Sequence, residues 1–172
     1  AENNPTTILV KVSHVAARLD FSQFDVTLKG FEGNPTVVFD EAKFVNLQQN
    51  GKIVEGDASV NVKDGAFLNR SNRIGTKWTD MGTAYGYANQ YKQDSEMNTA
   101  LYVKFTVDGR TFEKTYPINP AGITKEVDHN GIKGGYLYDI KVRWTITPDW
   151  GDSTIEFYTR DWVHNSIPEV VL

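Results

Sequence analysis

Tyr136-Leu137-Tyr138-Asp139-Ile140-Lys141-Val142-Arg143-Trp144-Thr145-Ile146-Thr147-Pro148 decides the fold class. Its even positions up to Ile146 are apolar or aromatic, while the odd ones are mainly polar, with Asp139, Lys141, Arg143, Thr145 and Thr147. A period of two held over this length predicts a long strand with one face in a core and the other in water, as in an antiparallel sheet. Asp149-Trp150-Gly151-Asp152 then predicts a turn, and Ile155 to Trp162 alternates again, so the chain closes on a long hairpin. Tyr136, Tyr138, Trp144 and Trp150 are expected as core and scaffold of that hairpin.

Reading outward, Leu101 to Val107 alternates, turns at Asp108-Gly109 and returns through Thr111 to Ile118. Asp-Gly between alternating runs is a strong signal for a two-residue hairpin. Phe24 to Leu28 is a further strand, ended by Gly30 and the Gly33-Asn34-Pro35 turn. Thr36 to Phe39 and Ala42 to Leu47 follow as strands, before a turn at Asn50-Gly51. Ile8 to Phe21 is apolar but changes parity: Ile8, Val10 and Val12 share one face, and Val15, Ala17, Leu19 and Phe21 the other. A bulge or strand break near Ser13-His14 accounts for the change. A helix over Val12 to Phe21 is the alternative, because Ala16-Ala17-Arg18-Leu19 are helix formers. From about 57 to 98 the pattern weakens into glycines and small polar residues with scattered aromatics, and predicts a long loop excursion holding short strands or turns. Many short strands with turn chemistry between them predict an all-β sandwich.

The 172 residues are the size of one domain and suffice for a core of their own. The formal net charge is -4, the charges are interspersed, and no basic cluster or stripe occurs, which argues against a nucleic-acid or anionic-membrane partner. There are no cysteines, so disulfides, thiolate metal sites and a cysteine nucleophile are excluded, while the compartment is left open. No run reaches the roughly 18 apolar residues of a membrane helix. Residues 1–6 read as a flexible lead without the charged head and apolar centre of a signal peptide, so an export signal or lipid anchor is expected to be absent from this segment.

His14, His129 and His164 are isolated in sequence, none with a partner at metal-ligand spacing, and structural or exposed roles are expected for them. No catalytic residue, metal or cofactor is predicted. Asp149 with Asp152, and Asp40 with Glu41, have turn chemistry rather than the ligand count of a calcium loop. Gly131-Ile132-Lys133-Gly134-Gly135 precedes a strand, so it lacks the helix terminus of a phosphate-binding loop. Trp78, Tyr85, Tyr87 and Tyr91 form the candidate ligand-binding cluster, because sugars stack on flat aromatic faces and loops at the end of a sandwich display them. The competing reading is that these rings pin the long excursion onto the sheet.

Three segments, in this order, resemble the fimbrillins, pilin subunits of Bacteroidota-type fimbriae, and most of all the carboxyl-terminal domain of a minor or short fimbrillin. Ile8 to Phe21 is similar to the family's strand with a Val-Ala-Lys/Arg-hydrophobic centre. Ser95-Glu96-Met97-Asn98-Thr99, leading into Ala100 to Phe105, is similar to its Glu-Asn-Thr element before a strand. Gly135 to Trp150 is similar to its Tyr-Asp-Ile strand and the Pro and Trp positions after it. Such pilins carry a further amino-terminal domain, so residues 1–172 are expected to be one sandwich domain, either a short relative or a piece of a two-domain pilin.

The resemblance implies a transthyretin-like antiparallel β-sandwich serving, without enzymatic activity, as a structural subunit of a fimbria on the outer cell surface. Other pilin subunits, of the same or another kind, are the implied partners, with a surface glycan or host protein as a further one. It also implies export as a lipoprotein precursor and assembly by strand addition, in which edge amides and an apolar groove accept a neighbour's strand. Residues 166–172, with Ile167, Val170, Val171 and Leu172, are then the candidate donor strand. An ordinary last strand is the alternative, and Pro168 weakens pairing at its own position. The reading from a different class is a carbohydrate-binding or adhesive surface module built on the loop aromatics.

Overall fold

The computed structural model describes residues 15–51, 62–63, 73–119 and 129–161. Among these the chain is all strand and connection: β1 (Ala16–Leu28), β2 (Val37–Val45), β3 (Leu47–Gln48), β4 (Val62–Lys63), β5 (Lys77–Tyr87), β6 (Ala100–Val107), β7 (Arg110–Pro117), β8 (Tyr136–Ile146) and β9 (Gly151–Asp161). A four-stranded sheet in the order β5-β1-β8-β9 faces a three-stranded sheet in the order β2-β6-β7, and β3 pairs with β4 beside them.

The alternation of the opening stretch becomes the wall of the core. Tyr138, Ile140, Val142, Trp144 and Ile146 of β8 are buried with Ala17, Leu19, Phe21, Phe24 and Val26 of β1. From the other sheet come Val37, Phe39, Ala42 and Phe44 of β2, and Leu101, Val103, Phe105 and Val107 of β6. Rings lock the sheets face to face. Phe24 meets Phe39 and Phe105 at 5.8 and 5.4 Å between centroids, and Phe105 meets Trp144 edge-on at 5.1 Å. Full burial of each such side chain contributes about 1.5–3 kcal/mol, and each well-oriented ring pair roughly 0.5–1.5 kcal/mol more.

Both predicted hairpins are present, the closing one with its turn earlier than expected, since Gly151 and Asp152 already pair in β9. The β6–β7 hairpin turns on Asp108 (φ 45°) and Gly109 (φ 81°), the left-handed pair that a two-residue turn between twisted strands requires. The closing hairpin pairs Tyr136 with Asp161 through to Ile146 with Gly151 without a slip. Its turn is held by Thr147, whose amide donates to the Trp150 carbonyl at 2.8 Å and whose hydroxyl accepts from the Trp150 amide at 3.2 Å. Trp150 itself is 70 % exposed, against the expectation of a core role, because it sits in the turn before the ladder resumes at Gly151.

Four further details depart from the sequence reading. Phe24–Leu28 is not a separate strand: β1 runs through it, and a bulge at Ser22 moves the buried parity from Ala17, Leu19 and Phe21 to Phe24 and Val26. Thr36–Phe39 and Ala42–Leu47 are likewise not two separate strands: Val37–Val45 is one strand, β2, with Asp40 as the extra residue between Phe39 and Glu41, and Leu47 belongs to β3 beyond Asn46. An inserted residue flips faces without ending a ladder, so a period-two reading splits the strand. The expected break at Ser13-His14 lies outside the described residues, as do Val12 to His14 of the helix alternative, whose residues from Ala16 to Phe21 are strand and not helix. The sheet is also not wholly antiparallel, since β1 runs parallel to β8. Finally, the excursion expected over about 57 to 98 contains β5, an eleven-residue strand paired along β1.

Candidate functional site

The four aromatics expected to form a binding surface are separated by β5. Trp78 is 5 % exposed and packs in the core, stacked on Phe24 at 5.3 Å and tilted against Phe39 at 5.9 Å. Tyr85, opposite Arg18 in the register, is on the outer face of the same strand and 56 % exposed. Tyr87 is half-buried, its ring against Gly51, where a Cβ would overlap it. Tyr91 is half-buried in the connection beyond β5. Alternation along a strand sends neighbouring rings to opposite faces. A shared stacking surface that includes Trp78 is therefore ruled out by its place in the core.

That connection is held by a polar clasp that the sequence reading did not find. The Asn98 amide group donates to the Lys92 carbonyl at 2.7 Å and accepts from the Lys92 amide at 2.9 Å. Asn89 Nδ2 donates to the Met97 carbonyl at 3.0 Å and to Thr99 Oγ1 at 2.9 Å, and Thr99 Oγ1 donates to the Asn46 carbonyl at 2.8 Å. Asn46, at φ 55°, returns two bonds to the carbonyls of Glu96 and Asn98. Asn98 and Thr99 are buried, and their side chains satisfy main-chain groups of Lys92 and Asn46 in the part-buried centre of the clasp. The clasp ties the ends of β2 and β5 to the start of β6. It is a structural device, and the readable signal for it was the density of Asn and Thr before a strand.

His129 is also structural. Its Nε2 lies 2.8 Å from the Tyr138 hydroxyl, which accepts from the Lys133 amide at 2.7 Å. Burial pushes the Tyr138 phenol ionisation upward. Asp40 closes the β2 bulge, accepting from Thr106 Oγ1 at 2.6 Å and pairing with Arg73 at 3.2 Å. Among the described residues no three His, Asp or Glu side chains gather closely enough to hold a metal ion.

The remaining chemistry is that of sheet edges, whose main chain offers donors and acceptors the ladder does not use. The outer edge of β2 is closed over Val37 to Phe39: the Phe39 amide donates to the Arg73 carbonyl at 2.7 Å and the Gly75 amide to the Val37 carbonyl at 3.2 Å. The β5 edge is interrupted by Asp80 (φ 50°) and a register slip, and its far end packs on Leu47 of β3. The β7 edge ends in Pro117, which has no amide to give. β9 differs from all three. Its eleven residues keep an unbroken register with β8, carry no Pro or Lys, and have no described strand beyond them. Alternation from the Thr147–Trp150 bond turns the main chain of Gly151, Ser153, Ile155, Phe157, Thr159 and Asp161 away from β8. The candidate donor residues Ile167, Val170, Val171 and Leu172 lie outside the described residues.

No family model and no curated protein matches this sequence. Solved structures do. A candidate cell adhesion protein from Parabacteroides distasonis superposes with a TM-score of 0.65 at 20% identity, over 87% of this chain and 52% of that one. A candidate cell adhesion protein from Bacteroides eggerthii superposes at 0.53 and 15% identity, over 87% and 56%. The tip fimbrial protein of Porphyromonas gingivalis, truncated at its C-terminus, gives 0.48 at 12% identity, over 87% and 52%. The chain thus spans about half the length of the structures it matches. The first two establish the class by fold: this chain is a β-sandwich of the kind found in those adhesion proteins.

Proposed function

We propose that this chain is a structural subunit of a cell-surface fimbria that joins its neighbours by strand addition, with no catalytic role. The observation that carries the proposal is the β9 edge, a long ladder-regular strand with main-chain groups directed away from its only described partner. A strand from another subunit laid along β9 would extend the four-stranded sheet and pair those groups, which is the general logic of β-augmentation. The fold shared with candidate cell adhesion proteins supports the reading, as does the order of the three fimbrillin-like segments. Partners are accordingly other subunits of the filament, and the place of action is the outer cell surface.

The donor on this reading is the apolar tail 166–172. A chain shortened by residues 166–172 is expected to keep its far-ultraviolet circular dichroism and cooperative melt while losing the ability to form chains with its partner subunits in electron micrographs. Loss of folding in the shortened chain would show the tail to be an ordinary last strand instead.

A further inference from the structure

We infer that Lys114, supported by Pro117, closes the β7 edge against pairing with a second copy of this chain, so that the three-stranded sheet does not serve as a second growth edge. Lys114 is the cross-strand partner of Val103, a fully buried residue on the core face of β6, and directly opposed residues share a face. Position 114 therefore belongs to the inward row of β7, between the buried rings of Phe112 and Tyr116. The side chain is nevertheless exposed, its ammonium nitrogen 5.3 Å from the centre of the Tyr116 ring. A long side chain in an inward row can reach past a neighbouring ring and keep its charge at the surface. Arg110, opposite buried Val107, repeats the arrangement 5.1 Å from the centre of the Phe112 ring.

On the core-facing row of this edge strand, then, cation and ring alternate where a strand in the middle of a sheet would carry four apolar residues. A strand added beyond β7 would bring its own inward side chains against Lys114 and force the ammonium out of water, which is strongly unfavourable. The hydrogen-bonding edge is restricted as well. The Ile118 amide donates to the Thr99 carbonyl at 2.9 Å, and alternation from that bond leaves the main chain of Thr111, Glu113, Thr115 and Pro117 directed outward. Pro117 ends that series without a donor. An inward charge and an edge proline are general means by which sheet edges avoid joining one another.

The test is the association state of the full chain. Lys114→Val restores an apolar inward row opposite Val103, and Lys114→Thr removes the charge with less added apolar surface. Both variants are expected to self-associate about tenfold or more tightly than the parent in sedimentation velocity, roughly one decade of affinity. New hydrogen-exchange protection should appear at the amides of Thr111, Glu113 and Thr115, and Lys114→Arg should behave like the parent. Circular dichroism establishes that each variant is folded. Folded Lys114→Val and Lys114→Thr that sediment as the parent does would overturn the inference, and so would new association that protects β9 amides and leaves β7 unchanged. The outcome is independent of the β9 reading above, since shortening the tail tests that edge without touching β7.

Discussion

At the scale of single residues, position within the pleat decided role more than residue type did. Trp78 and Tyr85 look equivalent in the sequence as aromatics of a polar stretch, yet one is core and the other surface, because β5 places them on opposite faces. Lys114 reads as an ordinary surface lysine until its partner Val103 is known. Tyr102 shows how an outer-face residue gains a distinct property. Its hydroxyl donates to Glu113 at 2.6 Å, and that bond, then partial desolvation and the Glu113 charge, pushes the phenol up to about 12 from 10.0. The folded chain therefore holds this proton more tightly than the unfolded one. The associated stability is complete below pH 10.0 and is lost as pH rises toward about 12. Replacing Glu113 by Gln is expected to bring the Tyr102 midpoint down, which an NMR titration of the Tyr102 ring carbons would measure.

At the scale of elements, hairpins with local turn chemistry were legible and interrupted strands were not. Asp108-Gly109 and the long alternation from Tyr136 each contain their own instructions within a few residues. The bulges at Ser22 and Asp40 do not, because what stabilises them comes from distant chain. Ser22 bonds to the Asp139 carboxylate and donates to the Ile140 carbonyl at 3.3 Å, and Arg73 Nε donates to the Phe39 carbonyl at 2.9 Å. The connection into β8 depends on a similar long-range fit. Gly131, at φ 74°, sits where a Cβ would overlap the Asn89 carbonyl and the Tyr91 amide, beside the bridge between Asn89 and Ile132. Gly131→Ala is expected to lower the unfolding free energy by about 2–3 kcal/mol, combining a left-handed backbone with a forced backbone shift. Gly109 has φ 81° and open space around its Cα, so Gly109→Ala should cost only about 1 kcal/mol. Urea unfolding of the two variants side by side measures the difference.

At the scale of the whole molecule, the arrangement of edges sets what the sandwich can join. If β9 is the growing edge, proline scanning along it should give a two-residue alternation in its effects. Thr159→Pro deletes an amide directed away from β8 and is expected to preserve folding while abolishing assembly. Tyr158→Pro deletes an amide directed at Asp139 in the ladder and is expected to destabilise the fold itself by about 3 kcal/mol or more. Thermal melts paired with electron microscopy of the two variants separate the outcomes. The sequence by itself determined that the chain is an all-β protein with a closing hairpin from Tyr136, a tight hairpin at Asp108-Gly109, no thiol chemistry and no run of basic residues. These follow from periodicity, turn residues and composition, which are local. Only the tertiary structure decided that β1 lies parallel to β8, that Trp78 is core, that Asn46, Asn89, Asn98 and Thr99 close a clasp, and that the four sheet edges differ. Strand neighbours and edge exposure depend on contacts between residues far apart in the chain, and a period of two carries information about faces but none about neighbours.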